Sequence, residues 1–169
     1  MKSLPLLLLL CTGTIAAQDK NMFTLNDGSV HFSVPSAWTA IMEKSDGNPQ
    51  AIVFQVHDPA AQGTDDAATI TVKTRQLKSP ADYPEAVQNE ILLSKSQAGY
   101  EVQPGSDGSG NHRYYVLRGK TRYEVRDRFV LIGTIAAQVR CQRPLLDATS
   151  RDWAAAWDSG CSSVTASVH

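Results

Sequence analysis

The sequence predicts an α+β domain: an antiparallel β-sheet with helices packed on it. Three observations support this. Through most of the chain, apolar and polar residues alternate with a period of two, as in Val30-His31-Phe32-Ser33-Val34 and Thr69-Ile70-Thr71-Val72-Lys73, the pattern of half-buried strands. Only two stretches change to helical spacing. The resulting order is strands, helix, strands, helix, without the strand–helix alternation of a parallel sheet.

The first strand is Met22-Phe23-Thr24-Leu25, closed by the turn Asn26-Asp27-Gly28-Ser29. Asn, Asp and Gly favour such a turn because they tolerate left-handed backbone. The second strand runs through 29–35 and ends at Pro35. Ser36-Ala37-Trp38 leads into Thr39-Ala40-Ile41-Met42-Glu43. After the loop 45–49, residues 51–57 alternate with Ile52, Phe54 and Val56 on one side. Residues 58–66 are polar and rich in turn formers, and 69–75 is an amphipathic strand.

The period then changes. Asp82-Tyr83-Pro84-Glu85 places Asp at an N-cap, Pro in the first turn and Glu three residues after the cap, a helix start. Ser79-Pro80-Ala81-Asp82 offers a competing start one turn earlier. Tyr83, Val87, Ile91, Ser94 and Ala98 share one face of a helix ending near Gly99. Tyr100-Glu101-Val102 is a candidate strand. Residues 104–110, rich in Gly and Ser, are the best candidate for a mobile loop.

Two further strands, 114–118 and 122–132, join at Gly119-Lys120. A third follows the turn near Gly133, and such consecutive hairpins form an antiparallel meander. In that third strand Ile135, Ala137, Val139 and Cys141 alternate with Gln138, Arg140 and Gln142. Trp153, Ala156, Trp157, Gly160, Cys161 and Val164 then recur as the apolar stripe of an amphipathic helix.

The N-terminus has a different character. Met1-Lys2-Ser3 precedes a short leucine run and a stretch with the small residues Thr14, Ala16 and Ala17, the layout of a secretory signal peptide. The apolar run is shorter than the roughly 20 residues that span a bilayer. We expect a leader over 1–17, removed on export, and a single domain over 18–169. A lipoprotein acylated at Cys11 is disfavoured, because Leu10 stands where a small residue is normal. The hexapeptide Gly-Thr-Ile-Ala-Ala-Gln occurs at 13–18 and again at 133–138. It serves a leader once and a strand once, so it is no structural repeat.

The expected location is the bacterial periplasm. Loss of the leader removes Cys11 and leaves Cys141 and Cys161, and an even count in an oxidising compartment predicts a disulfide. Both residues face the helix–sheet layer. The loop of about 20 residues makes the bond worth roughly 3 kcal/mol in the chain-entropy description. The formal charge of −1 over 169 residues excludes a nucleic-acid binder of the ordinary basic kind. No stretch beyond the leader is apolar enough to span a membrane.

No motif names a reaction. His31, His57, His112 and His169 lack metal-ligand spacing, and surface placement is the default for each. No Gly-x-Ser-x-Gly or glycine-rich phosphate loop is present. No catalytic residue, cofactor or metal is assigned. The most notable cluster is Arg113, Arg118, Lys120, Arg122, Arg126 and Arg128. It is either an ordinary solvated face balanced by Glu124 and neighbouring acids or a surface for an acidic partner. Asp127 has the parity of the apolar residues Tyr123, Val125, Phe129 and Leu131. It marks either a β-bulge or a buried carboxylate held by an arginine. Trp38, Trp153 and Trp157 read as core, with Trp38 placed to plug one end of the sheet.

The stretch Phe32-Ser33-Val34-Pro35-Ser36-Ala37-Trp38, in which a strand runs into a Pro and then a Trp, resembles the opening of PsbP-like and DcrB-like proteins. The mid-chain helix, the three late strands and the final helix are similar to that group over most of the mature chain. The cysteine pair is a departure. The resemblance implies an α/β/α-like sandwich on an antiparallel sheet and an accessory or binding role without shared catalytic residues. Some members are cytosolic chaperones of secreted toxins, a branch the leader argues against.

Three functions follow as expectations. The first is a non-catalytic periplasmic protein that binds a protein partner through its surface, for example an immunity protein against a toxin delivered to the periplasm. The second is a small-ligand carrier, whose cavity between sheet and helix would be lined by Trp38 or Trp157. The third is a small hydrolase using dispersed residues such as Asp127 and an arginine.

Overall fold

The computed structural model describes residues 19–169. The expected leader over 1–17, with Cys11 and the first hexapeptide, lies outside the described residues. The elements are β1 (Lys20–Leu25), β2 (Val30–Pro35), β3 (Thr39–Lys44), β4 (Gln50–Val56), β5 (Ala68–Gln76), α1 (Tyr83–Lys95), β6 (Glu101–Val102), β7 (Asn111–Arg118), β8 (Thr121–Ile132), β9 (Ile135–Pro144) and α2 (Arg151–Ser167). The class is α+β, as the sequence predicts.

All strand pairs are antiparallel. Seven strands form one sheet in the order β3-β4-β5-β9-β8-β7-β6. Two meanders, β3 to β5 and β6 to β9, are joined where β5 pairs with β9. Strands β1 and β2 stand apart as a two-stranded ribbon, a separation that their alternation does not reveal. Residues 39–44, which the sequence left without an element, form the edge strand β3, exposed at all six positions.

Strand parity decides the layers. Ile52, Phe54, Val56, Ile70, Val72, Ala137, Val139 and Cys141 form one face of the sheet. They pack with Phe32 and Val34 of the ribbon and with Trp157, Cys161 and Val164 of α2 in the main core. The opposite face meets α1 through Phe129, Val87 and Ile91. Helices on both faces give the sandwich layout implied by the resemblance.

Cys141 and Cys161 form a disulfide with an S–S distance of 2.03 Å and a Cα–Cα distance of 6.1 Å. The bond ties α2 to β9 in the layer the sequence assigned to both sulfurs. Among the described residues no helix is long and apolar enough to cross a membrane. The disulfide is compatible with an exported protein.

The start and end of α1 differ from expectation. Asp82 occupies the N-cap but makes no side-chain capping bond to α1. Its carboxylate accepts from the Ser79 N–H at 3.0 Å, while the Ser79 hydroxyl accepts from Ala81 N–H at 3.2 Å. The capping box therefore belongs to the competing start, a 3₁₀ turn over Pro80–Asp82. The helix stops at Lys95, a turn short of Gly99, and Ala98 is exposed. In α2, Ala156 is also exposed, while Trp157, Gly160, Cys161 and Val164 are buried as expected.

Candidate functional site

Helix α2 does not cover the whole of its side of the sheet. Its flank ends over β8, where Arg126 pairs with Asp158 of α2 at 2.8 Å. Arg126 and Arg143 stack on the Trp157 ring at 5.2 and 5.1 Å from its centroid. Beyond that line the rows of β6, β7 and β8 carry Arg113, Tyr115, Leu117, Arg122 and Glu101, all partly or largely exposed.

Glu124 sits at the centre of this uncovered face. Its side chain is only 7 % exposed. Arg126 and Arg143 donate to its two oxygens at 2.9–3.0 Å, and Arg113 lies 3.6 Å away. Burial alone would raise its pKa, but the Arg126 and Arg143 charges outweigh it and hold the carboxyl below its usual range. Arg122 stacks over Tyr115 at 3.9 Å and pairs with Glu101 at 2.7 Å.

The arginine cluster read from the sequence is partly assembled here. Arg113, Arg122, Arg126 and Arg128 share this face because they sit in matched registers of β7 and β8. Arg118 points to the other side, where it donates to Gln142 at 2.6 Å and lies over Tyr123. Lys120 is in the β7–β8 turn. Neither Arg128 nor Lys120 engages a carboxylate among the described residues, and both are exposed. Arg128 lines an open cleft of about 430 Å³ with Asn111, Ser162 and Thr165. With Arg143, which sequence parity did not mark, the face holds five arginines against Glu101, Glu124 and Asp158. Much of it is thus the balanced face expected around Glu124, with a cationic surplus toward Arg128.

Asp127 resolves as a buried carboxylate. The β8–β9 register runs without a shift, so no bulge occurs. Arg140, directly opposite, donates from Nε to Oδ1 at 2.7 Å and from Nη2 to Oδ2 at 2.9 Å. Tyr114 adds its hydroxyl to Oδ2 at 3.2 Å. The carboxylate has no exposed surface, so both oxygens are committed to the protein and none is open to a substrate. The hydrolase expectation loses its best candidate residue. Arg140 is itself largely buried. Burial would lower its pKa, yet the bonds to Asp127 hold it above the ordinary guanidinium value. Burial and the Asp127 charge together push the Tyr114 phenol up.

His112 departs from the surface placement expected of it. It is 2 % exposed, with Nδ1 3.0 Å from the Ser106 hydroxyl and Nε2 3.3 Å from the Tyr100 hydroxyl. Burial lowers its pKa, against the raising effect of Asp127. Its parity matches that of the buried Tyr114 and Val116, a signal hidden because the strand read from the sequence starts only at 114. Loop 104–110 packs over it, laced by Asp107 accepting from the Ser109 and Asn111 N–H groups at 2.9 Å. Among the described residues no group of His, Cys, Asp or Glu is arranged to hold a metal ion.

No family model matches this chain, and no curated protein does. Solved structures do. Mog1p, a Ran-binding protein of Saccharomyces cerevisiae, aligns over 90% of this chain and 96% of its own, with a TM-score of 0.54 at 10% identity. LpqN of Mycobacterium tuberculosis, involved in cell envelope biogenesis, aligns over 89% of both chains, with a TM-score of 0.51 at 14% identity. A Bacteroides thetaiotaomicron protein aligns over 90% of this chain at 15% identity and a TM-score of 0.49, but the chain spans only 48% of its length. Mog1p and LpqN share the fold, which is consistent with a distant fold-level resemblance. Neither PsbP nor DcrB is named among these structures.

Proposed function

We propose that this chain is an exported, non-catalytic protein that binds an acidic protein partner in the periplasm. The contact is the half-face of the sheet left uncovered by α2. The observation that carries the reading is the arginine surplus there, on a chain whose formal charge is −1. Opposite charge across an interface speeds encounter and selects partners. Arg122 stacked on Tyr115, and Arg126 and Arg143 stacked on Trp157, supply the residue types that anchor interfaces.

The expected leader and the disulfide support an extracytoplasmic setting. Neutralising a toxin delivered to that compartment is the concrete version of the role. Mog1p supports it only as an example of this fold in a Ran-binding protein. The test is affinity capture of the tagged, exported protein from its own periplasm, beside the double variant Arg122→Glu, Arg128→Glu. The expected result is an acidic partner retained by the parent, released by raised salt and lost by the variant. Recovery of the parent alone, or equal capture by the variant, refutes the reading.

A further inference from the structure

The half-face left bare by α2 has the dimensions of one helix. The flank of α2 ends over β8, so β7, β6 and the outer side of β8 are uncovered. Two strand spacings of about 4.8 Å make a strip about 10 Å wide, the diameter of a helix. The strip follows β7 from Asn111 to Leu117. At about 3.4 Å per residue its length is about 20 Å, which a helix covers with about 13 residues.

Two kinds of side chain line it. Tyr115 and Leu117 of β7 make an apolar floor, with Leu117 44 % exposed. Leu117 packs on the bare backbone of Gly99, where a Cβ would strike it, so it is positioned before a partner arrives. Beside this floor β8 holds a ladder of arginines, with Arg122 opposite Leu117, Arg126 opposite Arg113 and Arg128 opposite Asn111. Asp158 already reaches Arg126 from the α2 side, at 2.8 Å. Arg122 pairs with Glu101, but both are exposed, and such a pair contributes little, so a partner's carboxylate can replace Glu101. Arg128 engages no carboxylate among the described residues.

The bare face also selects the form of its occupant. A sheet face offers no free backbone groups. An extended segment laid on Tyr115 and Leu117 would bury its own N–H and C=O groups unpaired, whereas a helix pairs its own internally. The spacing agrees: alternate residues of β7 stand about 6.7 Å apart, and residues four apart on a helix rise about 6 Å.

We infer that the partner docks an acidic amphipathic helix on this strip, side by side with α2. Its apolar stripe covers Tyr115 and Leu117. Its acidic edge runs along Arg122 and Arg128, as Asp158 of α2 meets Arg126 from the opposite side. This rests on the acidic-partner reading and adds to it the form and facing of the bound segment.

The test is titration of the disulfide-bonded protein with three stapled helical peptides of about 14 residues, followed through the backbone amide resonances. The first has leucines at i, i+4, i+7 and i+11 flanked by glutamates. The second scrambles the same composition, and the third replaces each glutamate by lysine. The first peptide should shift the Tyr115 and Leu117 amides saturably and bind about tenfold more tightly than the second, and the third should not bind. Leu117→Ser removes part of the floor, and Arg122→Glu reverses one rung without touching the packing. Each should weaken the first peptide about tenfold. Equal binding of the first two peptides, or undiminished binding by both variants, overturns the helix and leaves the acidic partner standing. Equal binding of the lysine peptide overturns both readings. If neither acidic peptide binds, the helix is overturned, and the periplasmic capture with the double variant decides the acidic-partner reading by itself.

Discussion

Arg140 and Asp127 face each other across β9 and β8, joined by two parallel N–H···O bonds of 2.7 and 2.9 Å beneath α1. The carboxylate is wholly buried and the guanidinium mostly so. Removing one partner of such a pair strands the other charge without water. We therefore expect Asp127→Ala to lower unfolding free energy by about 3–5 kcal/mol. The double variant Asp127→Leu, Arg140→Met should lose less than Asp127→Ala, as measured by urea denaturation. A larger loss in the double variant would contradict this account.

Acid should destabilise the fold in two separable steps. His112 has a folded pKa below its ordinary 6.5, mainly through burial. The unfolded chain takes up that proton first, so stability is full above about pH 6.5 and falls as the pH drops toward the depressed folded value. Lys95, Arg140 and Asp107 also act on this ring. His112→Gln should flatten the loss over that window in melts from pH 7 to about pH 5. The second step belongs to Glu124, whose depressed pKa gives stability that is present above its ordinary 4.5 and is lost as pH falls through the folded value. Glu124→Gln should remove the lower step and leave the upper one.

The Cys141–Cys161 bond closes a loop with a sequence separation of 20. Replacing both residues by Ala should cost about 3 kcal/mol of unfolding free energy. Intact mass of the purified mature protein without reductant should show two hydrogens fewer than the free-thiol form. Full alkylation of both cysteines without reduction would contradict the bond.

Gly160 holds Trp38 against α2, and a Cβ there would strike the Trp38 ring. The ring is rigid and sits at a strand corner, so the neighbour can yield only by moving the corner. Gly160→Ala should cost about 1–3 kcal/mol, despite the better helix propensity of alanine. Thermal melts together with Trp fluorescence would report both the loss and the displaced indole.

Arg122 and Arg128 are exposed, and exposed charges contribute little to folding. Their joint replacement by Glu should change unfolding free energy by about 0.5 kcal/mol or less. Loss of the captured partner with an unchanged urea midpoint separates a binding role from a folding one.

Sequence alone determined most of the local structure: the alternation of 30–34, 51–57, 69–75 and 135–141, the two helices, and the shared layer of the two cysteines. These follow from the fixed periods of strand and helix, which each segment carries within itself. Parity even placed Asp127 among buried residues, although it left open whether the cause was a bulge or an ion pair. What only the tertiary structure decided was partnership. The β8–β9 register set Arg140 opposite Asp127. The β7–β8 register gathered Arg113, Arg122, Arg126 and Arg128 while sending Arg118 to the other side. Packing of α2 on the β2–β3 corner brought Trp38 to Trp153 and Trp157 across more than a hundred residues of chain. The physical reason is that pairing register and helix placement depend on contacts between distant segments, and a segment's own period carries no record of its neighbour.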